Sequence, residues 1–162
     1  MAARDILLVG VLIFTFAIGF FTIHYTVNTT VDQLIAEPSI NESAAATETM
    51  TVSKTISNRL DYVIFGLFIA LVLGVIITGW FVGGNPIFMF IYFIVVVIAV
   101  VLGMIFSNVW TNISESSIFG TTVTYFTITN NIMVNLPIYL AIIGIIGLVV
   151  MFAKPYVVGQ QE

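Results

Sequence analysis

The sequence predicts an all-α integral membrane protein with four transmembrane helices, the second and third joined as a tight antiparallel hairpin. Three observations predict it. The 162 residues are 60% hydrophobic and only 7% charged, whereas a soluble domain carries about 25% charged residues. The apolar residues arrive in four long blocks, near or above the ~18 residues at which a helix can cross a bilayer. Between the second and third blocks stands only "GGNP", residues 83–86. Glycines followed by Asn-Pro form a turn, and so short a connection implies antiparallel neighbours.

The first span is expected over about 6–24. Arg4 precedes it as it would a signal peptide, but the block is longer than the ~7–15 residues of a cleaved apolar region and lacks an A-x-A-like site. A retained span is the reading. Val27, Val31, Leu34 and Ile35 continue at helical spacing, so the helix is expected to run to about Ala36 and end before Pro38. Residues 39–49 read as a short exposed link. Val52, Ile56, Leu60 and Val63 then form one helical stripe. A helix beginning near Thr49 is expected to feed into the second span, about 62–82.

The third span, about 87–110, has no charge in its core. Residues 111–131 are polar, with Glu115 the single charge. They are too rich in Ile, Phe, Tyr and Val for a disordered linker, and read as a packed loop or short ribbon. The fourth span is expected over about 132–153, with Pro137 near its start and Lys154 and Pro155 at its exit. The whole chain, 1–162, then forms one membrane domain. Its polar loops, 25–61 and 111–131, share one face, and both termini lie on the other. Basic residues divide evenly, Arg4 and Lys154 against Lys54 and Arg59. The α-amino group and the acidic 25–61 loop tip the orientation toward termini inside. Trp80 and Trp110 fall at opposite ends of the hairpin and suit the two interfacial belts.

The apolar blocks carry a second pattern. Gly66, Ala70, Gly74 and Thr78 recur every fourth residue along the second span. Ala99, Gly103 and Ser107 do the same in the third, and Ala141, Gly144 and Gly147 recur every third residue in the fourth. Lipid gives little hydrophobic reward for pressing helices together, so close backbone approach along small residues does that work. Gly66, Ala70, Gly74, Ala99 and Gly103 are the packing candidates, within one chain or between copies.

Chemistry is sparse. Cysteine is absent, and His24 is the one histidine, at the end of the first span. A catalytic histidine needs a base or nucleophile and a metal needs several ligands. His24 therefore reads as an interfacial polar residue. Asp5 and Asp61 stand at span edges, not at the midplane where proton or ion paths place their charges. No catalytic, metal-binding or cofactor-binding residue is expected, and no enzyme activity. Four basic residues and a net charge of -4 exclude a nucleic-acid groove. Asn130, Asn131 and Asn135 crowd the entry to the fourth span, and Asn108 and Asn112 the exit of the third. Asn130 or Asn131 suits a helix N-cap; the alternative is amide bonding across helices. The uncharged polarity of 111–131 suggests that a partner protein, or the 25–61 segment, covers it.

The function expected is that of a structural membrane subunit, contacting the lipid bilayer and either itself or another protein through transmembrane faces and the 25–61 and 111–131 loops. A membrane-containing virus particle is one setting. Alternatives are a small pore-forming, holin-like protein, disfavoured by the absence of a polar stripe, and an accessory subunit of a membrane enzyme or transporter complex. If the second-span stripe is a seam, Gly74→Leu weakens assembly more than Leu73→Phe does; equal loss for both, read from complex size in mild detergent, would remove the seam.

Overall fold

The computed structural model describes residues 2–82 and 86–158. Every element among them is helical: α1 (Ala2–Ala36), α2 (Pro38–Asn41), α3 (Ala44–Ser57), α4 (Leu60–Val82), α5 (Pro86–Ser114), α6 (Thr127–Val134) and α7 (Leu136–Val158). A 3-10 turn at Thr122–Tyr125 interrupts the loop before α6. Helices α1, α4, α5 and α7 are each long and apolar enough to span a membrane. The protein is an all-α, multi-pass membrane protein.

At 1.5 Å per residue, the 35 residues of α1 reach about 52 Å, against a hydrocarbon core of about 30 Å. The surplus forms an extramembrane stalk in which α3 packs back along α1. The expected end at Ala36 holds, with Pro38 opening α2. The expected link at 39–49 is instead largely helical, because α3 starts at Ala44. A break at Asn58–Arg59 separates α3 from α4, so the two do not form one uninterrupted helix. The stripe of Val52, Ile56 and Val63 faces outward, Ile56 being 62% exposed.

The four spans close a ring in which α1 packs on α4, α4 on α7, α7 on α5, and α5 on α1. The hairpin expected between the second and third spans is not a packed pair among the described residues: α4 and α5 face each other across the diagonal. Of the expected turn, Gly83, Gly84 and Asn85 lie outside the described residues, and Pro86 opens α5. Short connections bound the distance between helix ends without choosing neighbours. Four Cα steps of 3.8 Å reach about 15 Å, enough for a diagonal when adjacent helices sit about 8–10 Å apart.

Small residues decide the neighbours. The α5–α7 interface is the most extensive in the bundle, and the small faces of both helices line it. A Cβ on Gly103 would lie 2.9 Å from Leu140 Cδ1 and 3.2 Å from Pro137 Cα, and one on Gly144 would lie 2.5 Å from Val96 Cγ1. Gly147 leaves room for the Tyr92 side chain. Ala99 is buried on the same face. Gly66, Ala70 and Gly74 behave differently. They are exposed, and nothing lies within 4 Å of a Cβ built at Gly66 or Gly74. The Thr15 and Thr78 hydroxyls stay local: Thr15 Oγ1 donates to the Val11 carbonyl and Thr78 Oγ1 to that of Gly74.

Residues 111–131 form a compact packed loop, with no strand among the described residues. The fourth span begins at Leu136 rather than 132, because the chain breaks at Asn135 just before Pro137. Proline lacks an N–H and cannot continue the ladder. The Val134 carbonyl, at the end of α6, accepts instead from Ser107 Oγ of α5 at 2.6 Å.

Overpacking a close interface costs about 1–3 kcal/mol. Gly103→Leu and Gly144→Leu are therefore expected to lower the unfolding midpoint of the chain in detergent, while Gly74→Leu leaves it unchanged.

Candidate functional site

The polar residues gather at one end of the bundle, where α1 leaves the spans and the 111–131 loop meets α3 and α4. Beneath them lies an aromatic plug. Phe21 packs on Trp110 (5.1 Å between ring centroids), Phe119 (5.2 Å) and Phe126 (5.4 Å). These rings carry the burial that holds the loop against α1 and α5. Trp110 is fully buried and its Nε1–H donates to Asn130 Oδ1 at 2.8 Å. It serves as an interior anchor, not as the interfacial belt residue expected from its place in sequence. Trp80 is exposed, as a belt residue would be.

Asp61, at the first turn of α4, is 6% exposed. Its Oδ1 accepts from the Thr129 N–H at 2.8 Å and the Thr129 hydroxyl at 2.6 Å, and its Oδ2 accepts from the Ile128 N–H at 3.0 Å. Those amides belong to the first turn of α6, whose N-terminal N–H groups have no partner inside the helix. The local N-cap position is Phe126, which offers no capping side chain. Asp61 therefore caps α6 from another helix and sits at the positive end of its dipole. Asn130 and Asn131, expected to cap the fourth span, lie inside α6 instead, and the residue that immediately precedes α7 is Asn135. The asparagines bond elsewhere: Asn130 to Trp110, and Asn131 Oδ1 accepts from Asn135 Nδ2 at 3.1 Å.

His24 is 2% exposed. Its Nε2 lies 3.0 Å from Asn58 Oδ1, and Asn28 Nδ2 lies 3.2 Å from Nδ1 and 2.8 Å from Nε2. With its proton on Nε2 the ring donates to Asn58 Oδ1; with the proton on Nδ1, Nε2 accepts from Asn28 Nδ2 at the shorter 2.8 Å, so the tautomer decides which amide is bonded. The ring rests on Tyr125 (4.9 Å) and Phe126 (5.2 Å, perpendicular). His24 thus joins α1, the α3–α4 break and the 111–131 loop, a more central place than an interfacial polar residue holds.

Above His24 opens a cleft of about 190 Å³. Asn28, Asp32 and Lys54 form one wall and Thr121, Thr122 and Tyr125 the other. Lys54 Nζ donates to Asp32 Oδ1 at 2.6 Å. Asn28 Oδ1 is buried without a hydrogen-bond partner. The 25–61 segment thus lines one cleft with the 111–131 loop, while Ile118 and Tyr125 of the loop stay exposed.

Asp5 lies apart, at the other end of the bundle. With Ala70, Gly74 and Thr78 it lines an outward groove of about 270 Å³ between α1 and α4. Among the described residues no three His, Asp or Glu side chains converge as metal ligands. No family model matches the sequence, and comparison with curated proteins and with solved structures returns no match.

Asp61 carries no flag in the sequence beyond being an acid at the edge of an apolar block. The signal available is its burial, since a carboxylate withdrawn from water must find donors. Asp61→Ala leaves two amides and a hydroxyl without their acceptor. A loss of about 3 kcal/mol is expected, with faster hydrogen exchange confined to the first turn of α6; unchanged exchange there would contradict the capping role.

Proposed function

We propose that the chain is a structural integral membrane subunit without enzymatic activity, packing within a larger membrane-associated assembly through a helix face that its own fold leaves open. The observation that carries this reading is the outward set Gly66, Ala70 and Gly74. The small residues of α5 and α7 are consumed inside the bundle, whereas Ala70 and Gly74 of α4 border a groove with Leu8, Val9 and Leu12 of α1. A groove floored by small residues suits a transmembrane helix that can bring its backbone close. The occupant in this reading is a helix of a second copy of the chain. The membrane of a virus particle is one setting for such an array.

The bundle interior argues against the pore-forming alternative. Ile6, Ile13, Ala17, Phe68, Val75 and Leu140 fill it, and a water-filled path needs polar lining.

The chain lacks native cysteine, so single cysteines report proximity without background. Oxidising membranes that contain the Ala70→Cys variant is expected to yield a disulfide-linked dimer. Val149→Cys, on an exposed face of α7, yields little, and Gly74→Leu added to Ala70→Cys abolishes the dimer. Equal cross-linking at both sites would reject the groove as the contact. A larger mixed adduct would point to the accessory-subunit reading.

A further inference from the structure

The cleft above His24 has a chemistry and a depth that together specify a ligand. Counting from Ile6, about 20 residues at 1.5 Å each cross the ~30 Å hydrocarbon core and end near Tyr25. Asn28 and Asp32 then lie about 5 and 11 Å farther along the helix, level with and just beyond the polar headgroup layer. The cavity of about 190 Å³ has the volume of about six water molecules, suited to a small polar group rather than an acyl chain.

Its walls carry one charge of each sign. Lys54 and Asp32 form an exposed pair, with side chains 36% and 62% accessible, and such pairs add little stability and open readily. A group bearing both charges can replace each partner for the other: a phosphate on the Lys54 ammonium, an ammonium on the Asp32 carboxylate. A purely anionic head would set its phosphate beside Asp32. Thr29, Thr121 and Thr122 of the lining present hydroxyls, which also accept hydrogen bonds. A primary ammonium has three N–H donors to share between those acceptors, whereas a quaternary ammonium has none. Tyr125 adds an aromatic ring beside the cation position.

We propose that this cleft binds the phosphoethanolamine head of a phospholipid in the adjoining leaflet, with Lys54 on the phosphate and Asp32 on the ammonium. The site is independent of the α4 groove and of any assembly through it.

Native mass spectrometry of the full chain in detergent tests the proposal. The delipidated protein is mixed with equal amounts of dioleoyl phosphatidylethanolamine, phosphatidylcholine and phosphatidylglycerol. The ethanolamine adduct is expected to exceed each of the others at least fivefold. Asp32→Asn and Lys54→Gln should each erase that preference while leaving the circular dichroism and unfolding midpoint unchanged, since both side chains are solvent-accessible. Soluble glycerophosphoethanolamine separates the sources. Binding by it as well as by the lipid assigns recognition to the head alone, and binding by the lipid only assigns the ligand to the bilayer. Equal adducts for the three lipids, or an ethanolamine preference that survives both substitutions, would overturn the proposal.

Discussion

The Asp61 carboxylate is the interaction on which the polar end of this molecule depends. A buried charge is tolerated only when donors surround it, and the donors that meet Asp61 are the unpaired amides of a short helix more than sixty residues away in sequence. Each group answers the other's need. Without the acid, α6 would begin with unsatisfied N–H groups in a dehydrated place; without α6, the acid would be a lone charge at the head of an apolar helix. Once α6 is fixed, Asn130 is in reach of Trp110 and the Val134 carbonyl is in reach of Ser107. The 111–131 loop and the end of α6 are thereby tied to α4 and α5 at three places.

Below that level the packing logic changes. Lipid tails compete well with apolar side chains, so the spans are held by shape. The α5–α7 interface places a glycine opposite Val96 and another opposite Tyr92. Larger residues point outward from every span, among them Leu73, Phe90, Ile145 and Val149. A soluble bundle would carry polar side chains at those outward positions.

Much of the architecture was legible in the sequence: four spans and the extension of the first to Ala36. These follow from local apolar runs and from proline, which act within a few residues. The helix partners were not legible. The GGNP connection suggests that α4 and α5 are adjacent, yet proximity of ends does not set which faces meet, and the small faces of α5 and α7 prove more compatible. The site divides the same way. His24 and the asparagines stood out as polar residues at span ends, but the Asp61–Thr129 bond joins residues 68 apart, and no periodicity encodes such a pair. The inward turn of Trp110 depends likewise on Asn130, Phe21 and Phe126 arriving around it.

Helix α1 is uninterrupted from the lipid into the stalk, and this makes it a lever. Ala36 stands about 30 Å from the bilayer midplane if the rod is upright. Membrane helices lean by about 20° on average, and the lean adjusts to local bilayer thickness. Over that arm a 20° lean carries the tip sideways by about 10 Å. A thinner or thicker patch of membrane therefore swings the outer hairpin without bending any joint within α1.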